Sequence, residues 1–310
     1  MTPIPIWKTS LASVAVIVGH GAIWFRISWL VLAIMLVVLV GGAFWTFDDI
    51  WMLLEQYPEL AERFEDVQAG RLSQEQLVAE MQGMAGAANR STLISFLSLI
   101  AMVGGAAMLL VRWCRFAALG DGGDGRWFVF RFGGLELEML GALVMTWLGF
   151  WVAFFVVFAV SLAAVALLGH AGFAVMFALY IALFILTARF CMLFPQVACD
   201  GGLDVAAVWR RTCGHTWRIF SAALIVSVIT FVIMVVLLVL PPVAWLMSND
   251  FSVFGAFEME PIEILKVIVP PLIVFSAFAN VVFIAAHVFF AAMLGLIHAQ
   301  LTAAEQELPD

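Results

Sequence analysis

Residues 29–47 read WLVLAIMLVVLVGGAFWTF, a run of nineteen positions with no charged side chain. A helix needs about 20 apolar residues to cross ~30 Å of hydrocarbon. Strands of a membrane barrel would alternate polar and apolar positions instead. The run therefore reads as the centre of a transmembrane helix over Ile23–Phe47. In lipid, a helix is the element that satisfies its own backbone at this length.

Five more stretches meet the same test: Thr92–Val111, Met139–His170, Ala171 to about Val197, Ile219–Met247 and Val267–Ile297. The third extends over about 31 apolar residues, or ~46 Å at 1.5 Å per residue, so it tilts or protrudes. Gly169-His170-Ala171-Gly172 between the third and fourth reads as a tight turn. The expected fold is all-α, one membrane domain over 1–310 with six spans and additional interfacial helices. Composition agrees. The 310 residues are 65% hydrophobic and 12% charged, with mean hydropathy +1.10. A soluble fold of this size could not cover that much apolar side chain. An ordinary cytosolic enzyme and a disordered chain are excluded. The net charge of −8 gives a polyphosphate no general attraction, so no nucleic-acid partner is expected.

Basic residues set the expected orientation. With six spans, both termini share a side with Lys8, Arg26, Arg112, Arg115, Arg126, Arg131, Arg189, Arg210, Arg211 and Arg218. Arg63, Arg71, Arg90 and Lys266 fall opposite. This asymmetry predicts cytoplasmic termini. The opposite face carries nine acids between Asp48 and Glu80, then Asp250, Glu258, Glu260 and Glu263. Cys114, Cys191, Cys199 and Cys213 all fall on or within the cytoplasmic half, so no disulfide is expected. The N-terminus lacks a cleavage-site pattern, and the first span is expected to remain as an anchor.

Two segments outside the spans carry pattern. LDVAAVWRRTCGHTWR, 203–218, places Val205, Trp209, Cys213 and Trp217 on one helical face. Asp204, Arg211, His215 and Arg218 share the other. That predicts a cytoplasmic amphipathic helix in the interface, Trp at headgroup depth and Arg toward phosphate. Trp7, Leu11, Val14 and Val18 give a weaker version near the N-terminus. On the other side, 48–91 is the one long loop. Ile50, Leu53, Leu54, Tyr57, Leu60 and Phe64 recur at helical spacing, and Ser73 with Gln76 forms a capping box. Two helices capping the bundle are expected, with a membrane or periplasmic protein partner as the functional alternative. WFVFRF, 127–132, reads as a short strand or extended interfacial segment. Pro241-Pro242 is expected to end the fifth span, and Pro270-Pro271 to kink the sixth or lie outside it.

VRWCRFAALG after the second span, and ARFCMLFPQVACDGGLDVAAVWRRTCGHTWRIF across the fourth and fifth, carry a family likeness. The chain resembles uncharacterised six-span inner-membrane proteins of proteobacteria. These are similar in turn to the membrane domain fused to some glycerophosphoryl diester phosphodiesterases. The positions bearing it are Arg189, Pro195, Trp209, Thr212, Gly214, Trp217 and Arg218. The resemblance implies a bacterial inner-membrane bundle with in-plane helices on the cytoplasmic side. It implies no reaction, since no soluble segment here is long enough for the phosphodiesterase domain.

Candidate sites follow from polar residues at membrane depth. Arg189 is the deepest cation. Either it holds an anionic headgroup with Arg210, Arg211, Arg218, Trp209 and Trp217, or it snorkels and pairs with a carbonyl or with Asp200. Ser276, Asn280 and His287 form a polar stripe on the sixth span. Ser95 and Ser98 give the second a small-residue face that would meet it. Ser95, Ser98, Asn280 and His287 either line a cavity or serve as packing contacts. No span interior holds a carboxylate, which weighs against ion-coupled carriage. Cys199, Cys213 and His215 lack a fourth ligand and standard zinc spacing, and Asp121-Gly-Gly-Asp124-Gly lacks a calcium-loop ligand set, so no metal or cofactor is expected. The sequence favours a non-enzymatic scaffold, assembly or envelope-homeostasis component whose partners are membrane lipids. The alternative is a transporter or lipid-handling protein using the second and sixth spans. A weaker third reading is a lipid-phosphate enzyme using His215.

Overall fold

The computed structural model describes residues 5–23, 25–42, 45, 74–121, 132–248 and 261–306. Side chains are described outside 74–91, 239–248 and most of 261–286. Among the described residues the chain is all-helical. The elements are α1 (Ile6–Gly19), α2 (Gly21–Gly42), α3 (Gln74–Leu119), α4 (Gly134–Leu168), α5 (His170–Phe190), α6 (Leu193–Cys199), α7 (Val205–Thr212), α8 (Thr216–Ser248) and α9 (Pro261–Gln306). Six helical stretches are long and apolar enough to cross a membrane: Gly21–Gly42, Thr92–Leu119, Gly134–Leu168, His170–Cys199, Thr216–Leu238 and Val282–Ala304.

The spans differ from the expected boundaries chiefly because helices continue past the hydrocarbon. The helix opened after Ser73 does not stop before the second span. It runs on into it, making α3 46 residues long. The first helix expected in the 48–91 loop, and WFVFR of the expected strand, lie outside the described residues. Neither Pro-Pro pair breaks its helix, although the fifth and sixth apolar spans, Thr216–Leu238 and Val282–Ala304, contain neither pair. α8 continues through Pro241-Pro242 to Ser248, and α9 runs through Pro270-Pro271. Each pair removes two donors, but in lipid the rest of a long apolar backbone has no better alternative than a helix. The segment 203–218 is likewise not one helix. α7 ends at Thr212, and Gly214, at φ +83°, turns the chain before α8. A left-handed residue cannot continue an α-helix, and glycine adopts it without steric cost.

By contact density the chain divides into two compact units. The first comprises 1–31, 104–234 and 284–310; the second, 32–103 and 235–283. In the first unit the core is built from Trp113, Met139, Leu193, Ile219, Met293, Leu294 and Ile297, all fully buried. Trp113 Nε1 donates to Ser28 Oγ at 3.0 Å, so the largest core side chain also satisfies its polar atom. Gly295 lets α9 approach α3 closely, since a side-chain carbon there would stand 2.7 Å from the Cys114 carbonyl oxygen. The turn at Gly169–Gly172 forms as the glycine spacing predicts. Gly169 has φ +56°, and the Gly172 amide donates to its carbonyl at 3.0 Å. In the second unit α2 meets α3 where a carbon at Gly42 would lie 2.9 Å from Ile94 and 3.1 Å from Ser98 Oγ.

The outward faces are apolar. Val152 and Phe155 on α4, and Phe177 and Phe184 on α5, are more than half exposed. Such continuous apolar exposure is incompatible with water as the surrounding solvent and is the normal state of a helix face in lipid.

Candidate functional site

α1 is short, and its buried face is three hydroxyl residues, Thr9, Ser10 and Ser13, followed by Ile17. Ser10 and Ser13 hydroxyls donate to the carbonyls of Ile6 and Ser10, and Gln300 Nε2 on α9 donates to Thr9 Oγ1 at 3.1 Å. Trp7, Leu11 and Val18 point outward, at 68%, 57% and 72% exposure. The helix docks through small hydroxyl residues and presents its large apolar side chains to the surroundings. α7 does the same. Val208 and Thr212 are buried, while Trp209 is exposed, and Trp217 at the start of α8 is exposed too.

The face α7 buries is organised by Arg189, which is 9% exposed near the end of α5. Its Nε donates to Thr212 Oγ1 at 2.6 Å, and Nη2 donates to the Trp209 carbonyl at 2.5 Å. The Thr212 hydroxyl donates its own hydrogen to the Val208 carbonyl at 2.8 Å. The guanidinium carbon lies 3.5 Å from the centre of the Trp209 ring. Arg189 thus satisfies a terminal carbonyl of α7 and places a positive charge at that helix's negative end. Of the partners the sequence offered it, the carbonyl is the observed one, and Asp200 is not.

Asp200 belongs to a different cluster. Its carboxylate accepts from Arg211 Nη1 at 2.5 Å and faces His298 Nε2 at 3.3 Å. Arg115 closes the neighbourhood, donating to the Ala198 carbonyl at 3.1 Å and pairing with Asp121 at 3.0 Å. Asp200, Arg211, His298 and Thr302 line a cavity of about 560 Å³ with Cys199 and Leu119. Sequence reading did not single out His298. Its one signal was a histidine a turn before Thr302 at the end of a span.

Burial raises the Asp200 carboxyl's pKa. The hydrogen bond from Arg211, and the charges of His298 and Arg211, outweigh it and hold the group below its ordinary 3.8. A carboxylate depressed in the folded state contributes stability that is present above the ordinary value and lost as pH falls through the folded one. Asp200→Asn is therefore expected to lower thermal stability at pH 7, with the difference from the parent protein shrinking as acid protonates the folded carboxyl, below its ordinary 3.8. A difference that persists unchanged in acid would assign the effect to shape rather than charge.

The remaining candidates are placed separately. Arg210 is exposed on α7, and Arg218 is half-buried on α8. The four arginines do not share one partner: Arg189 is bonded to α7, and Arg211 to Asp200. His215, buried at the Gly214 turn, has no hydrogen-bond partner for Nδ1 among the described residues. Burial and then the Arg218 charge lower its pKa, so the imidazole is neutral at pH 7. Ser95 is exposed, and Ser98 sits at the α2–α3 approach. Asn280 is half-buried and His287 exposed; the Ser276 side chain lies outside the described residues. Among the described residues no three His, Cys, Asp or Glu side chains gather as metal ligands would. Comparison of the chain with protein-family models, with curated proteins and with solved structures finds no match.

Proposed function

We propose that the chain is a non-enzymatic component of the bacterial inner membrane, crossing six times with both termini in the cytoplasm, and acts as a scaffold, assembly or envelope-homeostasis factor. This reading keeps the resemblance to six-span proteobacterial inner-membrane proteins. The observation that carries it is the outward-facing Trp of α1 and α7. Both helices bury Ser, Thr or Val and turn Trp outward. A helix arranged this way grips the interface of a leaflet, and Arg210 beside Trp209 adds attraction to anionic headgroups.

Two further features support it. Arg189 and Arg211 are bonded within the fold, which is what a rigid framework needs and a substrate-binding cluster does not. Ser98 lies at a helix crossing, the packing use of a small hydroxyl residue rather than the lining of an aqueous path. α3, 46 residues long, measures ~69 Å, about twice the hydrocarbon thickness. Its first part, 74–91, would stand clear of the bilayer as a rod on the periplasmic side, where a partner protein docks.

Cys213 is exposed and unpaired, and it lies between α7 and α8. A membrane-impermeant maleimide is expected to label it in inside-out vesicles and to leave it unlabelled in intact spheroplasts; the reverse pattern overturns the orientation. Purification of the full chain in mild detergent is expected to retain a stoichiometric partner that is lost when 74–91 is replaced by an unrelated helix. A protein that is solitary under every mild condition, yet moves solute across reconstituted vesicles, would overturn the scaffold reading in favour of transport.

A further inference from the structure

α4 and α5 pack against each other, and a cavity lies between them beside the start of α7. A slot of about 300 Å³ opens there, lined on one side by Thr146, Gly149 and Ala153 of α4 and on the other by Leu183 and Phe190 of α5. Val205, the first residue of α7, borders it at that end. The opening arises from sequence. Gly149 and Ala153 are one helical turn apart on the same face, and a carbon added at Gly149 would meet nothing within 4 Å.

The slot has a direction. From Thr146 to Ala153 is ~10 Å of helix, and from Phe190 back to Leu183 is the same. Both run away from α7. The α7 end carries Phe190, whose ring touches Trp209 at 6.2 Å between centres, and the cationic Arg189 over that same indole. The far end is wholly hydrocarbon. At the α7 end the Thr146 hydroxyl is buried without a hydrogen-bond partner among the described residues. Most helical threonines in apolar surroundings donate back to their own helix, as Thr187 does to Leu183 at 2.9 Å. Thr146 does not. A buried hydroxyl without a partner costs free energy, so one that lines an opening calls for an acceptor arriving from outside.

We propose that this slot holds one acyl chain of a membrane phospholipid, its ester carbonyl accepting a hydrogen bond from the Thr146 hydroxyl. The solvent around α4 and α5 is lipid, and the slot's walls continue into outward apolar faces, among them Val152 and Phe184. The order of groups along the slot matches that of a phospholipid. The Trp209 and Arg189 level corresponds to headgroup depth, Thr146 to the ester, and Ala153 with Leu183 to the tail. This site is separate from the second and sixth spans, and it rests on the membrane-crossing helices rather than on the scaffold reading.

The test uses the full-length protein in nanodiscs containing phosphatidylethanolamine with a photoactivatable diazirine in one acyl chain, with cross-links mapped by mass spectrometry. The expected result is preferential labelling at 183–190 over the outward residues Val152 and Phe155. Gly149→Leu puts a side chain into open space and fills the slot. It should cut labelling at 183–190 about tenfold while leaving Val152 and Phe155 unchanged. Equal labelling of slot and outer face, unaltered by Gly149→Leu, would overturn the proposal. Should Gly149→Leu not fold, Thr146→Val keeps the shape and removes the donor. It is expected to lose the one phospholipid that the parent chain retains in native mass spectrometry, and undiminished retention overturns the assignment. Labelling of the slot by diazirine palmitate but not by the phospholipid probe would show a free fatty-acid site and also overturn it.

Discussion

Gly172→Ala is expected to disrupt the α4–α5 hairpin, although alanine is the better helix former. The position lies in the first turn of α5 and is buried. A methyl carbon there would overlap the Val165 Cα and stand 2.5 Å from the Ala164 carbonyl oxygen. Both obstacles are backbone, so no side-chain rotation relieves them, and the two helices must separate. Overpacking of a tight contact costs about 1–3 kcal/mol, and the backbone nature of this one puts it at the upper end of that range. Gly169→Ala is strained for a different reason, its φ of +56°, at about 1–2 kcal/mol. Gly149→Ala meets open space and should change stability by no more than about 0.5 kcal/mol. The order of thermal midpoints in detergent is therefore parent and Gly149→Ala highest, Gly169→Ala lower and Gly172→Ala lowest. A Gly172→Ala protein as stable as the Gly149→Ala control would mean the helices do not approach as closely as described.

The hairpin is also the part of the fold most legible from sequence. Long uncharged runs and a Gly-x-x-Gly interruption are local signals, and lipid leaves few alternatives to a helix. What was not legible depends on where helices break and what they dock against. A helical wheel over 203–218 groups Trp209 with Trp217. Trp209, Cys213 and Trp217 are indeed exposed together, and Val208, Thr212, His215 and Ile219 are buried at helical spacing, although the left-handed Gly214 interrupts the helix between them. In α1 the apolar stripe through Trp7, Leu11 and Val18 was readable and faces outward as an interfacial helix requires; that Thr9, Ser10 and Ser13 would form the docking face was not. The Asp200–His298 contact joins residues 98 apart. No periodicity links them, and it follows only once α6 and α9 are placed side by side. The same holds for Thr146. A threonine among Leu, Val and Trp looks like an ordinary span residue until its hydroxyl is seen to lack the usual carbonyl.

Replacing Arg189 distinguishes the two uses the sequence allowed it. Arg189→Met keeps the aliphatic stem and removes the guanidinium. The Trp209 carbonyl then loses its donor at the end of α7, the Thr212 hydroxyl loses its second partner, and the indole loses its cation. A hydrogen bond to a charged group contributes about 1.5–3 kcal/mol, and the position is nearly sealed from solvent, so a loss of about 2–3 kcal/mol is expected. The loss should be local. α7 has only eight residues, too few to persist without its tertiary anchors. Its amides should exchange roughly 30- to 160-fold faster in Arg189→Met, while those of α4 stay protected. Arg189→Lys restores the charge but not the planar fork, and should recover part of that protection. Thr212→Val, which removes one of the two hydrogen-bond partners, should fall between. If Arg189 instead served a bound headgroup, Arg189→Met would release anionic lipid from the purified protein and leave α7 protected. Exchange in α7 and lipid content, measured on the same samples, therefore give opposite answers under the two assignments, and the geometry around Trp209 favours the first.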